Sequence, residues 1–210
     1  MQTLLASLVA GFSFTGHIST DARAFLVHHG CACTARHCAA VAAEARGLAL
    51  RFGADAGQAE TAGWLHDISA VIPDAQRVAA ARELGVEVLP GEEACPMLLH
   101  QKLSAVLARE LFGVTGAGVL SAIGCHTTLR AGASALEKVV FVADKVAWDQ
   151  AGEAPYHPAL RAALDVSLDA AARAYLDHIW ERRRELRVVH AWAKAAYAEL
   201  AGVREDAWLR

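Results

Sequence analysis

Five stretches of this chain repeat apolar side chains every three or four residues, and each apolar stripe is interrupted by one histidine or aspartate. His37 lies on the stripe of Val41, Ala45 and Leu48. His66 follows Ala59 and Ala62, and His100 shares a face with Leu103, Leu107 and Leu111. His126 follows Val119, Ala122 and Ile123, while Asp144 follows Val140 and precedes Ala147 and Trp148. This spacing is that of an amphipathic helix whose stripe faces the core. A polar group on such a stripe is costly unless it is paired or holds a metal. Asp67 adds a carboxylate directly beside His66.

Start and stop signals divide the chain into helices. One is expected from Thr34 to Phe52, stopped by Gly53. Asp55 with Gln58 reads as a capping box for the helix carrying His66, and Ser134 with Glu137 as a second one before "ALEKVVFVADKVAW". Pro73 opens a helix that Gly85 closes. Residues 86–96 read as a turn-rich connector, followed by helices over Met97–Phe112 and Ala117–His126. After a loop around "DQAGEAPYHP", two or three more helices reach the C-terminus. No sustained alternating pattern marks a strand, so the expected class is all-α. The expected organisation is short N-terminal helices over 1–30 packed on a core of 31–150, with 151–210 completing the same domain.

Composition narrows the partners. The 210 residues are 55% hydrophobic, enough for a sizeable core, and the net charge is −3. That balance argues against nucleic acid or an anionic membrane as partner. The run "WERRRELR" (180–187) reads as a solvated helix face. The N-terminus lacks the basic residues of a secretory signal, and no long uncharged apolar run reads as a membrane span, so a cytoplasmic protein is expected. Five cysteines without a C-x-x-C pair read as ordinary thiols. So apolar an all-helical chain is also a candidate homodimer.

One buried histidine is usually a satisfied core residue. Five polar groups on five apolar stripes are better explained by a shared metal site, which removes all the burial penalties together. Imidazoles mixed with carboxylates suit a transition metal rather than calcium or magnesium alone.

The ordered set His37, His66–Asp67, His100, His126, Asp144 resembles the HD-domain metal-dependent phosphohydrolase superfamily. The segments "AGWLHDIS", "LLHQKLSAVLARELFG", "VLSAIGCHTT" and "LEKVVFVADKV" are most similar to its YqeK-like branch, the symmetrical diadenosine tetraphosphate hydrolases. The resemblance implies an HD-domain helical bundle with two divalent transition-metal ions, iron first, with Mn, Co, Ni or Zn as alternatives. It implies that His37, His66, Asp67 and Asp144 hold one ion, and that Asp67 bridges to a second held by His100 and His126. Asp67, Lys145, Thr127 and Lys102 become candidate catalytic residues, with Arg36 a further phosphate contact. The implied substrate is a nucleotide or other phosphorylated small molecule, cleaved at a phosphate ester or anhydride. A di-iron oxygenase of the same fold, or a metal-bearing nucleotide sensor without turnover, are the alternatives.

The chain departs from that branch at the walls of the site and keeps every metal ligand. Ser69 and Ala70 stand where a basic residue is usual. Gln101 and Ser104 stand in "HQKLSA", where small residues are usual. Leu129 replaces a glycine after "HTT", and Trp148, Asp149 and Gln150 stand where an arginine is common.

Overall fold

The fold is described from a computed structural model, for residues 3–150 and 152–203. Among these residues there are helices and no strands. In chain order they are α1 (Thr3–Leu8), α2 (Ile18–His28), α3 (Ala32–Phe52), α4 (Ala56–Leu65), α5 (Asp74–Glu83), α6 (Pro90–Ala94), α7 (His100–Glu110), α8 (Ala117–Cys125), α9 (Ala135–Val146), α10 (His157–Leu164), α11 (Leu168–Glu181) and α12 (Ala191–Ala201). Two 3-10 turns, Ile68–Val71 and Pro96–Leu99, precede α5 and α7.

The local signals act as their chemistry demands. α3 ends at Gly53 in the left-handed conformation (φ +74°), whose N–H bonds the carbonyl of Ala49. Asp55 caps α4 by accepting from Gln58 N at 2.9 Å, but the Gln58 amide returns to the Asp55 carboxylate rather than to its backbone. The Ser134–Glu137 capping box is complete in both directions.

Three expected elements differ. The 86–96 connector contains α6, because Pro90 sits at its first turn and the Glu92 carboxylate accepts from Leu89 N at 2.8 Å. The helix expected from Met97 is a 3-10 turn until His100, since Pro96 starts the chain in a tight turn. The basic run 180–187 is not a helix face: α11 stops at Glu181 and residues 182–187 form turns.

α3 is the central helix, packed against α2, α4 and α9, while α8 lies among α4, α7 and α9. α10 and α11 cover α9, and α12 packs on α11. One apolar cluster runs through all of them, from Leu5 to Tyr197, with Phe25, Leu65, Leu103, Ile123 and Phe141 wholly buried. Among the glycines, Gly63 of α4 makes the closest approach to a neighbouring helix. A Cβ there would lie 2.5 Å from Ala42 Cα and 2.8 Å from Ala42 N on α3, so only glycine lets these backbones meet. That contact brings the end of α4 against the middle of α3. All five cysteines are free thiols, and no helix of the described residues is long and apolar enough to cross a membrane.

Candidate metal centre

The five interrupted stripes meet. His37 comes from the second turn of α3, His66 and Asp67 from the end of α4, and His100 from the start of α7. His126 follows α8, and Asp144 lies in the last turn of α9. Two groups form around Asp67: its donor atoms with those of His37 and His66, and its donor atoms with those of His100 and His126, each set within 4.8 Å of one another.

The two oxygens of Asp67 divide between these groups. Oδ1 lies 3.5 Å from His100 Nε2 and 3.5 Å from His126 Nε2, and Oδ2 lies 3.6 Å from His66 Nε2. On the far side, Asp144 Oδ1 lies 3.0 Å from His37 Nε2 and 3.6 Å from His66 Nε2. His100 and His126 turn Nε2 to Nε2 at 3.1 Å. Donors that are each about 2.1 Å from one ion, at tetrahedral or octahedral angles, stand about 3.0–3.5 Å apart. The observed separations match that spacing, and most are too long for good hydrogen bonds. His66 Nε2 is buried with no hydrogen-bond partner at all. A buried imidazole nitrogen with its lone pair uncommitted is what metal ligation needs, so the donor set fits two cations sharing Asp67.

Three of the histidines are aimed by one device. Each ends a helical turn and gives its Nδ1–H to the carbonyl three residues back: His66 to Gly63 at 2.8 Å, His126 to Ile123 at 2.8 Å, and His100 to Met97. The bond fixes the tautomer and leaves Nε2 free as a ligand. His37, in the second turn of α3, makes no such bond. Its Nδ1 is buried without a partner, with Asp149 Oδ2 4.0 Å away.

The protonation states suit ligation. Burial pushes the pKa of His100 down and that of His126 down to about 4, so both imidazoles are neutral near neutral pH. Burial would raise Asp67, but the surrounding His66, His126 and His100 hold it far below the usual carboxylate range. Burial likewise opposes ionisation of Asp144, and the Lys145 ammonium with the His37 bond reverses it. His37 is raised, because its bond to Asp144 outweighs its burial.

The second-rank candidates separate. Thr127 belongs to the centre: its Oγ1 is 2.8 Å from His100 Nε2. Lys145 lies behind the ligands, donating to Asp144 and, at 3.1 Å, to the carbonyl of His126. Lys102 is not among these groups. Its Nζ is held 2.8 Å from Glu92 and 3.1 Å from the Glu87 carbonyl, on another face of α7. Arg36 is on the surface, with Nη2 3.2 Å from Cys33 Sγ. Sequence reading missed Gly63, whose carbonyl aims His66 and whose missing side chain admits α3. Its only signal was a glycine inside a helical pattern.

The HD-domain family model matches residues 34–149. A Lactococcus lactis subsp. cremoris protein known from the pepC 5′ region is 45% identical over 143 residues, covering 68% of this chain and 72% of that one. The symmetrical bis(5′-nucleosyl)-tetraphosphatase of Bacillus subtilis is 36% identical over 101 residues, so the match spans 47% of this chain and about half, 53%, of that relative. An HD-superfamily hydrolase of Clostridium acetobutylicum, described as involved in NAD metabolism, superposes with a TM-score of 0.73 at 27% identity. That match covers 80% of this chain and 88% of the other.

Proposed function

The chain belongs to the HD-domain family, and on that premise we propose that it is a dinuclear phosphohydrolase cleaving a nucleotide at a phosphate anhydride or ester. Symmetrical hydrolysis of a dinucleoside tetraphosphate is the specific reaction we favour. The observation that carries the reading is the division of Asp67, one oxygen toward His100 and His126 and the other toward His66. A carboxylate shared in this way holds two cations close together, as two-metal phosphoryl transfer requires. The similarity to the Bacillus subtilis tetraphosphatase supports the nucleotide substrate.

In this reading His37, His66, Asp67 and Asp144 would hold one ion, and Asp67, His100 and His126 the other. Iron is the first choice, and Mn, Co, Ni or Zn fit the same donors. When bound, the ions would supply Lewis acidity to a phosphoryl oxygen and lower the pKa of a water toward neutrality. The chain's own groups do the rest. Asp67 stays ionised in burial and keeps the two halves of the site in register. Lys145 holds Asp144 ionised and turned toward His37 and His66. The Thr127 hydroxyl, beside His100 Nε2, offers a hydrogen bond to a phosphoryl oxygen whose charge grows during transfer. Lys102, bound to Glu92, is given no catalytic part.

The test is a panel of nucleotides, diadenosine tetraphosphate among them, with protein purified anaerobically and its metal content measured. Symmetrical cleavage of the central anhydride by one water yields two ADP. Release of AMP plus ATP would replace the symmetrical reading. Oxygen consumption, or tight nucleotide binding without turnover, in place of any phosphate-bond cleavage would sink the hydrolase.

A further inference from the structure

We propose that Gln101 is the positioning residue of the second cation group, Asp67–His100–His126, and that its effect falls on that group before the first. The inference rests on the two-cation reading above and adds a residue that is not a ligand.

Gln101 follows the ligand His100 on α7 and is fully buried. A buried amide needs partners for both of its ends. It finds them all in the segment after His126. Its Oε1 accepts from Thr127 N at 3.2 Å and Thr128 N at 3.3 Å, and its Nε2 donates to Thr128 Oγ1 at 3.1 Å. Thr128 Oγ1 in turn donates to the carbonyl of Leu129 at 2.9 Å.

The segment so held is one that would not rest there by itself. Leu129 has φ +56° and is the one non-glycine residue at positive φ among those described. A leucine in the left-handed region costs about 1–2 kcal/mol. It persists because its side chain is wholly buried, its N–H bonds the Cys125 carbonyl at 2.7 Å, and the preceding N–H groups are fastened to Gln101. Strain that the surroundings over-determine tends to sit where a geometry has to be kept. Here the kept geometry is the approach of His126 Nε2 to His100 Nε2 at 3.1 Å and of Thr127 Oγ1 to His100 Nε2 at 2.8 Å.

α7 also fastens the third member of the group. Ser69, two residues after Asp67, donates from Oγ to the carbonyl of His100 at 2.8 Å and from N to Ser104 Oγ at 3.1 Å. One helix thus carries a ligand, a clasp on the Asp67 segment and a clasp on the His126 segment. No bond of Gln101 reaches His37, His66 or Asp144; the His126 segment meets that group through Lys145, which joins the His126 carbonyl to Asp144, and through the His66 ring, so the loss of Gln101 falls first on the second group.

The test is a cobalt(II) titration of the metal-free full chain, followed by calorimetry and visible absorption, with melting curves recorded in parallel. Gln101→Met keeps the bulk and removes the amide. The expected result is an unchanged first binding step and a second step weakened at least about tenfold, in the range of lost supporting contacts at metal sites. Thr128→Val, which removes the hydroxyl's links to Gln101 and Leu129 and leaves the two backbone N–H bonds to Gln101 Oε1 in place, should weaken the second step about threefold, and it decides the matter by the same criterion if Gln101→Met does not fold. Two ions in the wild type with an unaltered second step, or both steps weakened alike, overturns the inference alone. A wild type that stops at one ion removes the two-cation reading and this inference with it.

Discussion

Two buried polar clusters sit on opposite faces of α7, built from the same kinds of side chain and finished differently. On one face the Glu92 carboxylate, with no exposure, accepts from Lys102 Nζ at 2.8 Å, His190 Nε2 at 3.1 Å and Leu89 N at 2.8 Å. His190 spends its other nitrogen accepting from Trp192 N at 3.1 Å, as the N-cap of α12. Every donor there meets an acceptor inside the chain, and the result ties α6, α7 and α12 together. On the other face His100 and His126 point nitrogen at nitrogen, and His66 Nε2 meets nothing. A buried polar group that is paired is structure. One left unpaired, among others aimed at the same point, is a receptacle.

The contrast predicts opposite results from comparable substitutions. The largest effect belongs to Asp67→Ala. It should reduce bound metal from two ions to one at most and lower phosphate-bond turnover by more than about 100-fold. Its metal-free melting temperature should stay close to wild type, because few good hydrogen bonds are lost. A large drop in metal-free stability would erase the distinction between the clusters. Glu92→Ala should do the reverse. Leaving the Lys102 and His190 donors unpaired should cost about 3–5 kcal/mol of folding stability by denaturant titration, with metal content per folded molecule unchanged.

Gly63→Ala joins both readouts. Forcing a Cβ onto the α3 backbone should cost about 1–3 kcal/mol and should also loosen the carbonyl that aims His66, so stability and metal retention fall together. A variant that lost stability alone would show that the aiming bond is dispensable.

The paired cluster also predicts a pH dependence. Burial alone would raise the Glu92 pKa, but the bonds from His190, Leu89 and Lys102 hold it below its ordinary 4.5. A depressed folded-state pKa stabilises fully above 4.5 and loses that contribution as pH falls through the folded value. Denaturation midpoints should therefore decline below that point in the wild type and less steeply in Glu92→Gln; parallel curves would refute it. The smallest effect is on turnover in Lys102→Met. It should stay within about threefold of wild type, as for independent sites, while stability falls. A large loss of turnover would return Lys102 to the catalytic site.

Much of the centre was legible as residues. His37, His66, His100, His126 and Asp144 each broke an apolar stripe, with Asp67 beside His66, and a broken stripe can be seen from neighbours three and four positions away. Lys102 and Lys145 could not be ranked in that way. Both stand beside ligands in sequence, yet one turns to Glu92, ten residues earlier, and the other to the back of His126. Gln101 was noticed only as a departure, since its partners lie 26 and 27 residues on. The Glu92–His190 bond spans 98 residues and left no periodic trace.

By itself the sequence determined that the chain is helical, where most helices begin and end, and which polar side chains must face inward. These follow from local sterics, capping and spacing, which act within a turn or two. Only the tertiary structure decided which inward groups are paired and which are left open, that Gly63 sets the approach of α4 to α3, and that the two oxygens of Asp67 face different histidines. Those outcomes depend on distances between segments remote in sequence, which the packing of whole helices sets.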